Sequence, residues 1–185
     1  MNTNHSTNRP TKNGWSTARI AFYALFVALG ITLSFFAIPF PPLPFLKYDF
    51  SGVICLIAAF AYGPAAGVTV SILTYVPHLF SNPVGALMNM AVMILFSLTA
   101  TLIYQRNKTR PRAALGLVVG GILATILALL LNLVVTPLYY HVNVMQYVGM
   151  IIPFYLPFNL AKMGLNAVIT FLCYKPVSLL AKKAL

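Results

Sequence analysis

Four apolar runs, near residues 18–38, 84–104, 113–135 and 150–174, each approach the ~20 residues that a helix needs to cross a hydrocarbon core. They are apolar on every side. A membrane barrel instead needs ~10-residue alternating segments with a polar lumen face, so an α-helical bundle is the economical solution. Only 7% of the residues are charged, against about a quarter in a soluble globular domain, and such a chain has little with which to cover a water-facing surface. The net charge of +11 would suggest nucleic acid in a soluble protein. Here the bases flank apolar spans and set topology, so membrane phosphates are the expected partner and nucleic acid is not.

Proline and glycine place the boundaries. Residues 1–16 are polar and lack a signal-type apolar core, which predicts a disordered cytoplasmic tail ahead of a membrane domain over 17–185. The first helix is expected from about Ser16 to Ile38, where Pro39, Pro41, Pro42 and Pro44 force an extended loop as far as Asp49. Helix two follows from Phe50 to Ala61, and helix three from Ala65 to Leu79 after the Tyr62-Gly63-Pro64 break. Helix four follows the Ser81-Asn82-Pro83 turn and runs to about Tyr104, and helix five runs from the basic loop Gln105–Arg112 to about Val135. After a polar aromatic loop, helix six starts near Gly149. The expectation is therefore an all-α integral membrane protein of six transmembrane helices with both termini cytoplasmic. Of the 12 Lys and Arg residues, this threading puts Arg9, Lys12, Arg19, Arg106, Lys108, Arg110, Arg112, Lys175, Lys182 and Lys183 on the inner side. The proline loop, the Ser81-Asn82-Pro83 turn and the 136–148 loop then face outward, around an expected pocket.

Lys47 and Lys162 are the two basic residues left over. An ionisable group within a span is costly enough to suggest function, and Asn159 precedes Lys162 by three residues on the same helical face. Together an ammonium and an amide can address one polar ligand, although Lys162 can also snorkel and Asn159 can serve a neighbouring helix. Asn132 in helix five and Asn89 in helix four carry the same two readings, with Asn89 set in a Gly85-Ala86 stretch suited to close packing. In the loop Leu46-Lys47-Tyr48-Asp49, a local pair between Lys47 and the chain's single acid is the simplest reading, and part of a lid is the other. Phe45, Tyr48, Tyr139, Tyr140, Tyr147 and Tyr155 collect on the outer side as an interfacial belt or as walls for a flat ligand. Ala24 and Ala28 lie on one stripe of helix one with Ala21 and Thr32, either an internal seam or a docking face.

Inventory argues against catalysis. One acid rules out carboxylate pairs and acid metal clusters. His5, His78 and His141 lack ligand spacing, Cys55 and Cys173 lack a CxxC pattern, and no GxxxxGK[ST] loop is present. Neither a metal nor a cofactor is expected, and energy for uphill transport would have to come from elsewhere.

In order along the chain, the alanine stripe, Pro44-Phe45-Leu46-Lys47-Tyr48-Asp49-Phe50-Ser51, Tyr62-Gly63-Pro64-Ala65-Ala66-Gly67 and Asn82-Pro83-Val84-Gly85 with Asn89 form a pattern. It continues through Leu131-Asn132, Pro137-Leu138-Tyr139, Ile152-Pro153 and Pro157-Phe158-Asn159-Leu160-Ala161-Lys162. This order resembles the substrate-binding S components of energy-coupling factor vitamin transporters, and among them the riboflavin-specific ones. The resemblance implies a vitamin pocket near the outer face under a lid formed by the first loop. It implies that Asn132, Asn159 and Lys162 hold a flavin's polar groups, with Leu46, Tyr48, Asp49 and Asn89 nearby. It also implies that Ala24 and Ala28 contact a transmembrane coupling T subunit, which binds two cytoplasmic ATPases in the plasma membrane of a prokaryote. Two features depart from the pattern: Gly52 and Val53-Ile54 follow Ser51, losing an acid and a proline common there, and Thr74 lies near a usual lysine. Another flavin or another vitamin is the alternative they leave.

Overall fold

The computed structural model describes residues 17–40, 43–140 and 144–183. The expected tail, with His5, Arg9 and Lys12, lies outside these residues, as does His141; the side chains of Phe45, Tyr140, Tyr147, Lys182 and Lys183 also lie outside what is described.

Helix α1 spans Thr17–Phe35. It stops three residues before the expected end, because Pro39 biases Ile38 toward extended backbone. The expected loop is a small antiparallel hairpin, with β1 over Ile38–Phe40 and β2 over Leu43–Tyr48. Ile38 faces Tyr48 and Pro39 faces Lys47, with an irregularity after Pro39, as suits a proline in a two-stranded ribbon whose every strand is an edge.

α2 covers Ser51–Tyr62 and α3 Pro64–Tyr75. Gly63 between them adopts φ 98° and ψ −179°, a combination open essentially to glycine alone, and Pro64 opens α3 where its missing N–H costs nothing. Pro77 converts the expected end of helix three into a 3-10 turn over Val76–Phe80. α4 runs over Pro83–Arg106, with the Asn82 side chain accepting the Gly85 N–H at its start.

α5 extends over Arg110–Tyr140 with Pro137 inside it, beyond the expected stop at Val135. The expected loop then holds a short helix, α6, over Val144–Met150. Pro153 cannot donate a helical hydrogen bond, and the chain passes through a wider π turn over Ile151–Tyr155 before α7 begins at Leu156 and runs to Lys183. Helix six of the sequence reading is thus three consecutive elements.

Among the described residues, four helices are long and apolar enough to cross a membrane: α1, α4, α5 and the segment Val148–Val177; α2 and α3 with its 3-10 turn are shorter. α2 lies at the centre, packed against α1, α3, α4 and α7, with Cys55, Leu56, Ala58 and Ala59 fully buried. α5 lies hard against α4. A Cβ on Gly116 would fall 2.5 Å from the Ala100 carbonyl oxygen, so the contact needs a residue without a side chain.

Candidate functional site

Where α1 ends, α4 begins, α5 ends and α7 begins, the helices leave a cavity of about 840 Å³ beneath the hairpin, a size typical of small-molecule sites. The hairpin contributes Leu46, Lys47 and Asp49. Asn89 enters from α4, Asn132 from α5, and Asn159 and Lys162 from α7. Met88 and Val92 of α4, Ala128 of α5, and Phe158 and Met163 of α7 supply apolar wall. Four positions scattered over 73 residues of sequence, Asn89, Asn132, Asn159 and Lys162, therefore meet around one space.

Lys162 does not snorkel. Its side chain is 7% exposed, and Nζ lies 3.6 Å from Oδ2 of Asp49 and donates to Oδ1 of Asn89 at 3.2 Å. The expected local pair of Lys47 with Asp49 is thus replaced by a pair across the fold. Lys47 stands on the ribbon and points to an exposed position, whereas Asp49 follows the strand's end and is buried. Charge neutrality explains the choice: a buried ammonium needs an anion, and Asp49 is the single acid of the chain.

The carboxylate sits at the start of α2, where Oδ1 accepts the Ser51 N–H at 3.1 Å and the Ser51 hydroxyl, an arrangement also favoured by the helix dipole. The Ser51 hydroxyl in turn shares a hydrogen bond of 2.8 Å with the buried Tyr75 hydroxyl. A polar chain Tyr75–Ser51–Asp49–Lys162–Asn89 therefore runs from α3 to α4 along the cavity. The amides of Asn132 and Asn159 each donate to the carbonyl one turn back, of Ala128 at 2.7 Å and Tyr155 at 2.8 Å, which orients both toward the cavity.

Tyr48 is the sequence-expected residue that the cavity does not include. It lines instead a second, apolar groove of about 350 Å³ between the hairpin and α7, together with Ile38, Phe40, Phe50 and Leu165. Its hydroxyl donates to Oδ1 of Asn166 at 3.2 Å. Burial pushes the phenol up to about 12, with the adjacent Asp49 carboxylate acting in the same direction, so it stays a neutral donor at physiological pH.

The amino-acid pattern agrees with this geometry. Residues 18–174 match the family model of the ECF transporter substrate-specific component. This chain belongs to that family. As an S component it is similar to the protein named riboflavin transporter RibU of Staphylococcus aureus (strain TCH60), at 30% identity over 176 residues, covering 89% of this chain and 93% of that one. It is also similar to the riboflavin transporter FmnP of Bacillus subtilis (strain 168), at 31% identity over 123 residues, covering 63% of this chain and 65% of the other. A solved structure described as the S component of a bacterial ECF transporter superposes with a TM-score of 0.75 at 32% identity, covering 89% of this chain and 97% of that one.

In this S component several wall residues escaped sequence reasoning. His78, whose spacing argues only against a metal ligand, lines the cavity, shares a hydrogen bond of 2.7 Å between Nε2 and the Ser34 hydroxyl, and has its ring centroid 4.9 Å from that of Phe35. Tyr75, which lines the cavity, and Ser51, which joins it to Asp49, were missed as well; a hydroxyl within an apolar helix carries two readings until its partner is visible. Of the outer aromatics, Tyr155 lines the cavity and is buried, while Tyr139 is exposed. Ala21, Ala24, Ala28 and Thr32 are all exposed on α1, so the stripe is not an internal seam.

Proposed function

We propose that this S component captures riboflavin in the cavity beneath the hairpin, from the outer side of the cell membrane, and delivers it inward with an ATP-driven coupling module. The observation that carries the reading is the convergence of Asn89, Asn132, Asn159 and Lys162 on one cavity with apolar walls. A flavin is a flat apolar ring system with a polar edge and a polyhydroxylated tail. Burial of the ring against Leu46, Met88, Val92 and Ala128 would supply affinity, while the amides and the ammonium supply orientation. The names of both relatives support riboflavin as the substrate. The exposed stripe with Ala24 and Ala28 offers the docking face for a transmembrane T subunit that binds two ATPases: small side chains permit close helix approach, and no helix among the described residues covers them.

Titration of riboflavin with the detergent-purified protein, followed by the flavin's own fluorescence, tests the reading. Stoichiometric quenching that disappears in Lys162→Ala is the expected result. Absence of quenching by folded protein would discard riboflavin and direct attention to Gly52 and Thr74, where the chain departs from the riboflavin pattern.

A further inference from the structure

The foot of the hairpin is held to α7 at two neighbouring points. Asp49 pairs with Lys162, and Tyr48 donates to Asn166. Lys162 and Asn166 are four residues apart and so occupy successive turns of one helical face. Asn166 is fully buried and borders neither the cavity nor the apolar groove. Its Nδ2 has no hydrogen-bond partner among the described residues, an unfavourable state for a buried donor; the end of this amide that is engaged is the oxygen holding Tyr48. Gly52 makes room for it, since a Cβ there would lie 2.6 Å from Nδ2.

We infer that Asn166 is a positioning residue for ligand capture. By holding the Tyr48 hydroxyl it fixes the foot of the hairpin and, through the adjoining Asp49, sets the Lys162 ammonium in the cavity. The inference rests on the cavity being the ligand site and is independent of which vitamin occupies it.

The first readout needs no ligand. Ile38 is exposed and faces Tyr48 across the ribbon, so a spin label on Ile38→Cys, in a Cys173→Ser background that removes the exposed native thiol, reports the motion of the foot. The spectrum should be immobilised in the parent and gain a mobile component in Asn166→Ala and in Tyr48→Phe. Gly52→Ala, which displaces the amide without removing a polar group, should do the same. The second readout is riboflavin dissociation: one hydrogen bond of ordinary strength predicts about 2- to 12-fold faster release in Asn166→Ala or Tyr48→Phe, and no further gain in the double variant. An unchanged spectrum in both single variants overturns the inference, as does a double variant whose release equals the product of the two single effects. Should the parent bind no riboflavin, the proposed substrate fails while the spectra still decide the role of Asn166; Tyr48→Phe, which changes no core volume, serves if Asn166→Ala does not fold.

Discussion

Replacing Asp49 by Asn tests the electrostatic logic of the site most directly. The carboxylate accepts the Ser51 N–H and hydroxyl, both of which an amide oxygen can still satisfy, and it neutralises Lys162, which an amide cannot do. Removing one member of a buried ion pair costs about 3–5 kcal/mol, because the surviving charge is stranded. This pair borders a cavity that water can enter, which places the expected cost at the lower end, ~3 kcal/mol. At about 2–4 °C per kcal/mol for a chain of this size, the thermal unfolding midpoint in detergent should fall by roughly 6–12 °C. Lys162→Met should fall by a similar amount, since it strands the carboxylate instead. The double variant Asp49→Asn/Lys162→Met carries neither charge and should lie above both singles, a coupling of about 2 kcal/mol or more. If the two losses simply add, the groups do not compensate each other and the assigned pairing is wrong.

Ala24→Trp on the exposed face of α1 should abolish uptake into cells while leaving riboflavin quenching by purified protein unchanged; equal loss of both would refute a docking role for the stripe. Gly63→Ala should cost ~1–3 kcal/mol, the strain of a non-glycine residue at φ 98° and ψ −179°, read as a fall of about 2–12 °C in the unfolding midpoint. The raised phenol of Tyr48 favours the protonated form in the fold, so its contribution is fully present below pH 10 and is lost as pH rises through about 12. Tyr48→Phe should therefore show a shallower alkaline loss of stability than the parent, and parallel curves would refute the assignment.

Much of this architecture was legible because proline and glycine act locally. Pro64, Pro77, Pro83 and Pro157 stand at element starts or within the first turns, where steric rules alone place them. The hairpin was not legible: the six residues of β2 read equally as loop, and the ribbon exists because its foot is fastened to α7, a contact between residues 118 positions apart in sequence. The partner of Asp49 was misassigned for the same reason. Sequence proximity favoured Lys47, whereas burial and neutrality favour Lys162, and burial is a property of the assembled bundle. Asn132, Asn159 and Lys162 stood out because polar groups are scarce in apolar spans. Ser51, Tyr75 and His78 did not, since hydroxyls and a lone histidine near a helix end are common where no ligand binds.

The shortness of α2 has a consequence for how such a molecule can change its appetite. At 12 residues α2 is ~18 Å long, so a hydrocarbon core of about 30 Å leaves ~12 Å of central axis unfilled. Asp49, just ahead of its first turn, and Tyr75, in the last turn of α3, line the space above. The cavity is in effect the two turns that α2 lacks. Chamber depth is then a matter of helix length at the axis, separable from the wall residues that choose polarity, and inserting one turn before Ser51 would shorten the chamber by ~5 Å without altering any wall contributed by α4, α5 or α7.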